Sequence, residues 1–283
     1  MSTFRDKKQQ FSIGDKCRSL IFIPFMSSSE LYCSLFGSKV IHLPETESTN
    51  SCLSLLALNE HYPDGTALIA DFQTNGRGQQ GTVWKSASGE NMLISYLVRP
   101  VFLAVSDQFM LSKTIALGVK KFIEGQLDNQ YPVSVKWPND IYIEGRKIAG
   151  ILIENSLQNK MLRQAITGIG ININTEYFPN ELNAVSMFQL TKEKKVIADI
   201  LPQLHETLNH YYFLLQSKNF NVINTEYENS MYQFGIMADY EWENRKIRAK
   251  ITGTDISGRL KLTDENGNEI TAGMKEITFL RES

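Results

Sequence analysis

The sequence predicts an α+β fold built on a mixed sheet, with a smaller all-β module towards its C-terminal end. Short β-rich runs follow one another directly, helices are inserted sparingly between them, and from about Phe234 onward short strands are punctuated by glycine. The first strand is expected at Val40–Leu43. It runs into Glu47-Ser48-Thr49-Asn50 and then into Leu53, Leu56 and Ala57, the spacing of a helix buried on one face. Ser48 or Thr49 is placed to cap that helix, and Tyr62-Pro63-Asp64-Gly65 is a dense turn signal that ends it. Further strands are expected at Ala67–Phe72, Met92–Val98, Val133–Trp137, Ile148–Glu154 and Ile166–Ile173.

Between them, Asp107–Leu127 predicts a helix with Leu111, Ile115, Val119 and Phe122 on one face. A second helical stretch, Lys192–Gln216, repeats apolar residues from Ile197 to Leu215, and Pro202 is expected to kink or divide it. The C-terminal strands are expected at Lys246–Gly253, Arg259–Asp264, Glu269–Ala272 and Lys275–Leu280, with the Asn266-Gly267 pair favouring a tight hairpin. A small β-barrel is the natural reading. The expected division is a poorly ordered extension over 1–37, a catalytic domain over 38–233 and the barrel over 234–283.

Bulk properties narrow the function. With 42% hydrophobic and 21% charged residues the composition is that of an ordinary globular protein. A formal charge of −2 supplies no global basic field to draw the chain onto nucleic acid. Cys17, Cys33 and Cys52 are too widely spaced for a CxxC-type metal site and fit reduced thiols in a cytoplasmic protein. The apolar run Leu20–Met26 is too short to cross a bilayer, so no membrane partner is expected.

Four segments carry chemistry. In Gln73–Trp84 (QTNGRGQQGTVW), glycines 76, 78 and 81 beside Arg77 are the ingredients of a loop that wraps a phosphate, though it lacks the Gly-Lys-Ser/Thr ending of a Walker A loop. In Val135–Asp140 (VKWPND), Lys136 stands at the end of a strand, just before a rigid turn, where an ammonium can neutralise charge growing on a phosphate. Asp140 suits either its own turn or a magnesium ion, the turn being the better assignment. In Gly145–Glu154, Gly150 permits close approach to a strand. In Gly168–Asn174 (GIGININ), alternating glycine and isoleucine suggest a strand with one bare face on which something flat can lie, with Asn172 placed to bond a nucleotide.

Singly these are weak signals. In order, ESTN, QTxGRGxxGxxW, KWPNDI, RKIAGILIE and GIGININ, they closely resemble the biotin protein ligase family over about Val40–Asn174. The resemblance implies a catalytic domain related to class II aminoacyl-tRNA synthetases followed by an SH3-like barrel. It implies ATP and biotin as substrates with magnesium, and a biotin carboxyl carrier domain of a carboxylase as protein partner. By the same resemblance Ser48, Thr49, Asn50, Gln73, Arg77, Gly78, Gln79, Lys136 and Gly150 would bind biotin. Arg77, Trp84, Lys136, Lys147 and Asn172 would bind ATP, with Arg77 and Lys136 the catalytic pair and the metal ligands unassigned. A lipoate-protein ligase or octanoyltransferase is the nearest rival, but the Arg-Arg…Gly-Gly-Gly…His pattern of those relatives is absent. A non-catalytic biotin binder is the other, and Arg77 and Lys136 argue against it. Residues 1–37 are too few for the winged helix-turn-helix that some relatives carry, so a monomeric or homodimeric ligase without operator binding is expected.

One departure stands out. Many relatives place a second arginine where this chain has Gln79, whose amide donates hydrogen bonds but cannot neutralise phosphate charge. The loop is therefore expected to hold the adenylate less tightly than arginine-bearing loops do. Gln79→Arg should slow release of the intermediate several-fold in a filter-retention assay; equal release would remove the idea.

Overall fold

The computed structural model describes residues 21–22, 34–58 and 61–280. Its main sheet has eight strands: β1 (Ile21–Phe22), β2 (Lys39–Thr46), β3 (Thr66–Gln73), β4 (Met92–Val98), β5 (Val133–Lys136), β6 (Asp140–Ile143), β7 (Arg146–Gln158) and β8 (Met161–Ile171). They lie in the order β1-β2-β3-β4-β8-β7-β6-β5. Only β2 and β3 run parallel, because α1 (Thr49–Leu56) carries the chain across between them; the other pairs are antiparallel. Ser48 is the N-cap of α1, as its position before the apolar stripe requires.

One face of the sheet is covered by α2 (Gln108–Gln126) and by α4 (Ile197–Gln216), which pack on each other. Pro202 neither divides nor ends α4. It sits just past the first turn, so only one carbonyl loses its intrahelical donor, while buried Leu204, Leu208, Tyr211 and Leu215 hold the remaining turns against the core. The helical stretch starts later than its composition suggests, since Lys192 ends the short α3 (Met187–Thr191) in a left-handed conformation. The helix α5 (Phe220–Asn229) was not anticipated: its buried face is just Ile223 and Tyr227, too few positions to display a period.

The C-terminal strands form an antiparallel five-stranded sheet: β9 (Met237–Trp242), β10 (Arg245–Thr254), β11 (Leu260–Asp264), β12 (Glu269–Ala272) and β13 (Ile277–Phe279), in the order β12-β11-β10-β9-β13. Among the described residues the two end strands do not pair, so the expected barrel is an open sheet here. The β11–β12 connection is set by Asp264, whose Oδ1 accepts the N–H groups of Asn266 and Asn268 at 2.9 and 2.8 Å, with Gly267 at φ +85°.

Residues 34–37 depart from the expected loose extension. Phe36 is 1% exposed and packs edge-on to Tyr96 and Tyr212, a burial that contributes about 2 kcal/mol. Asn209 Oδ1 accepts the backbone N–H groups of Leu35 and Phe36 at 2.8 and 2.9 Å. Ile21 and Phe22 pair with β2. The rest of the expected extension, with Cys17 and Cys33, lies outside the described residues. No helix among the described residues is long and apolar enough to cross a membrane.

His205 of α4 lies beneath this segment, its ring 5.7 Å from that of Tyr96 and its Nε2 buried with no hydrogen-bond partner among the described residues. Burial lowers its pKa from 6.5 to about 4. Between those values the unfolded chain binds the proton and the folded chain does not, so stability present above pH 6.5 is lost as the pH falls towards 4. The loss is on the order of 3 kcal/mol. His205→Phe, which keeps a ring and removes the proton, should flatten the fall in melting midpoint between about pH 7 and about pH 4.5; an unchanged slope would contradict this account.

Candidate functional site

A cavity of about 500 Å³ opens between one edge of the main sheet, where β3, β5 and β8 end and β4, β6 and β7 begin, and the second sheet. Its floor is made by glycines in register. Gly150 of β7 pairs with Gly170 of β8, and Gly168 pairs with Leu152 on one side and Ser95 of β4 on the other. The bare face anticipated from GIGININ is present, and two side chains of this protein lie on it. A Cβ on Gly168 would stand 2.2 Å from Asn50 Oδ1, and one on Gly170 would stand 2.6 Å from Trp84 Cε2.

The polar end of the cavity starts at the N-terminus of α1. Gln73 Oε1 accepts the Thr49 N–H at 2.7 Å and lies 3.0 Å from Thr49 Oγ1. Ser95 Oγ sits between Thr49 Oγ1 (2.7 Å) and Asn50 Oδ1 (2.6 Å), completing a buried hydroxyl–amide chain. Asn50 Nδ2 donates to Glu154 Oε2 at 2.9 Å, and Glu154 Oε1 receives Arg77 Nη2 at 2.5 Å. Arg77 Nη1 reaches Ser51 Oγ at 3.2 Å. Glu154 thus joins the amide cluster to the loop arginine. Ser95, Ser51 and Glu154 were not among the expected site residues. The one available signal was Ser95 itself, a hydroxyl inside the otherwise apolar run Met92–Val98.

The glycine-rich loop folds on itself. Gly78 N donates to Thr82 O at 2.7 Å and Trp84 N to Gly76 O at 2.9 Å, with Arg77 bridged to Val83. A Cβ on Gly76 would meet Trp84 O at 2.3 Å, so this glycine serves loop closure, and the Gly78 N–H is not directed at an anion. Gln79 opens a short 3-10 turn and faces the cavity. The Trp84 indole lies over Gly150 and Gly170, its Nε1 buried with no partner among the described residues.

Opposite stands the Lys136 turn, braced from several sides. Trp137 Nε1 donates to Gly258 O of the second sheet at 2.9 Å, Tyr227 OH donates to Pro138 O at 2.9 Å, and Asn139 Nδ2 donates to Ile151 O. Asp140 opens β6 and pairs with Lys147 Nζ at 2.7 Å, while that ammonium lies 5.6 Å from the Trp84 ring. The second sheet adds Met274, Lys275, Thr278 and Phe279 to the wall.

Ser48, Thr49, Asn50, Gln73, Arg77, Gly78, Gln79, Trp84, Lys136, Lys147 and Gly150 therefore line one cavity. Asn172 does not. Its amide is buried and donates to Lys147 O at 3.3 Å and Val185 O at 3.1 Å, so it fixes the backbone beneath the site and is not available to a nucleotide. Chemically, the cavity sets Lys136 and Arg77, the latter paired with Glu154, beside an amide–hydroxyl pocket and a flat aromatic surface, with Lys147 and Lys275 also on its lining. That suits a polar, uncharged ring at one end and phosphate oxygens at the other.

Residues 43–172 match the model of the Biotin/lipoate A/B protein ligase family. The bifunctional ligase/repressor BirA of Bacillus spizizenii is 32% identical over 251 residues, covering 86% of this chain and 76% of that protein. The biotin–[acetyl-CoA-carboxylase] ligase of Mycobacterium tuberculosis is 32% identical over 156 residues, covering 52% of this chain and 53% of its own length. Among solved structures, the biotin protein ligase from Aquifex aeolicus in complex with biotin and ATP superposes with a TM-score of 0.71 at 27% identity. It covers 87% of this chain and 100% of that one.

The glycine floor makes a direct prediction. Gly168→Ala should destabilise the fold by about 1–3 kcal/mol through overpacking against Asn50. The same change in an Asn50→Ala background should cost distinctly less, as read by denaturant midpoints. Additive losses would show that the contact does not limit the site.

Proposed function

This chain belongs to the biotin/lipoate A/B protein ligase family, and on that footing we propose that both halves of biotin transfer take place in the cavity described above. The protein is a biotin protein ligase. It activates biotin with ATP to biotinyl-5′-AMP and passes the biotinyl group to a protein lysine. In the first half the biotin carboxylate attacks the α-phosphorus of ATP, forming the acyl–phosphate bond as the bond to pyrophosphate breaks. In the second, a lysine amine of the carrier domain attacks the acyl carbon, AMP leaves, and the amine loses a proton as the amide forms.

The observation that carries the site assignment is the convergence of Arg77, Lys136 and the Thr49–Asn50–Gln73 cluster, backed by buried Ser95, on one cavity. The cluster offers donors and acceptors to a ureido ring. Arg77 and Lys136 offset the charge of two anionic reactants and of the transition state between them. Trp84, Lys147 and the Gly150–Gly170 floor shape the nucleotide end. No enzyme nucleophile is required, since the carboxylate and the incoming amine supply the electrons. Magnesium would supply further positive charge for the phosphates of ATP. Asp140, the one carboxylate on the cavity wall among the described residues and ion-paired with Lys147, is the side chain that would hold it.

The carrier is the biotin-accepting domain of acetyl-CoA carboxylase or of a related carboxylase. The division at 233/234, a cytoplasmic location and an SH3-like character for the second sheet belong to the same proposal. Incubation with biotin, magnesium ATP and a carrier domain should add the mass of one biotin to the carrier lysine. Lys136→Ala should lower that rate by roughly 10²-fold or more. An unmodified carrier with the wild-type chain would overturn the assignment.

A further inference from the structure

Lys136 projects from the end of β5 on four flexible bonds, yet the proposed chemistry needs its ammonium at one place. Two aromatic rings flank it. Its Nζ lies 4.9 Å from the ring centroid of Tyr142 on β6, and 5.0 Å from that of Phe279 on β13 of the second sheet. It also donates to Tyr142 OH at 3.3 Å. Both rings are themselves held. Tyr142 is 8% exposed and packs against Tyr232 (5.6 Å), while Phe279 packs edge-on to Tyr240 (5.2 Å) and lies 6.4 Å from Tyr232. The four rings form a continuous aromatic wall running from the main sheet to the second.

We propose that Tyr142 and Phe279 are positioning residues that hold the Lys136 ammonium between their faces, so that the second sheet helps to aim the lysine used in adenylation. The physical point is the kind of attraction. A ring quadrupole attracts an ammonium towards the ring face and so favours one position of the flexible side chain. Phe279 borders the cavity, so its ring limits where Lys136 can swing. This role rests on the functional reading above, since it presumes that Lys136 meets phosphate.

The test is single-turnover formation of biotinyl-adenylate in the full chain, with amplitude and rate constant read separately. Phe279→Leu keeps an apolar side chain and removes the ring. It should lower the rate constant roughly 3- to 10-fold with little change in amplitude or in the KM for biotin. Phe279→Tyr should restore the wild-type rate. Tyr142→Leu, on the other sheet, tests the opposite face independently and should give a comparable fall, with Tyr142→Phe retaining most of the rate. A merely structural role predicts the reverse pattern, in which amplitude and melting midpoint drop while the surviving enzyme reacts at the normal rate. That result would overturn the proposal, as would Phe279→Tyr reacting as slowly as Phe279→Leu. Absence of adenylate in the wild type would instead overturn the ligase reading itself, and this role with it.

Discussion

Everything at the cavity depends on three positions where the sheet carries no side chain. Gly150 and Gly170 are partners across β7 and β8, and Gly168 lies one pleat further on the same face. An ordinary side chain at Gly168 would evict Asn50, and one at Gly170 would evict the Trp84 ring. Without Asn50, the Ser95 hydroxyl loses one of its two partners and Glu154 loses one of its donors. The polar network and the loop arginine are thus built outward from an absence of Cβ atoms.

A second dependence runs between the two sheets. The strand that carries Lys136 receives backbone bonds from the segment after α5: Val135 N donates to Ser230 O at 2.8 Å and Tyr232 N to Val135 O at 2.9 Å. Trp137 is bonded to Gly258 O, and Gly258 lies against the Phe109 ring on α2. Lys113 is buried in the same seam, donating to Asn224 at 2.8 Å beside the rings of Phe109 and Tyr227; burial pulls its pKa down while Glu228 and Asp255 oppose that shift. Buried polar groups with specific partners fix geometry more sharply than apolar contact does, and here they fix the turn that presents the lysine.

Much of this was legible in the residues. Strands of seven or eight residues rich in apolar side chains, the long helix α2 and the glycine-rich loop follow from period and turn chemistry, because local patterning decides them. The wall residues from Ser48 to Gly150 were legible because each sits in a short segment dense in unusual residue types. What escaped was decided over long distances. Asn172 looks like a ligand in sequence, but the fold delivers the carbonyls of Lys147 and Val185 to its amide. Glu154 closes a strand in sequence and joins Asn50 to Arg77 only once β7 lies beside α1. β6, Asp-Ile-Tyr-Ile, is too short to show alternation, and the approach of Phe279 to Lys136 joins residues far apart in the chain.

The placement of the tryptophans has a further consequence. The chain has three, and each belongs to a different structural element. Trp84 lies on the glycine floor of the cavity, Trp137 is 6% exposed at the seam, and Trp242 sits in β9 of the second sheet, paired with Arg245 and Ile277. Intrinsic fluorescence therefore sums three distinct local signals. Versions keeping one indole at a time would resolve it into separate channels for the loop, the junction and the outer sheet, and so give the order in which they respond during turnover.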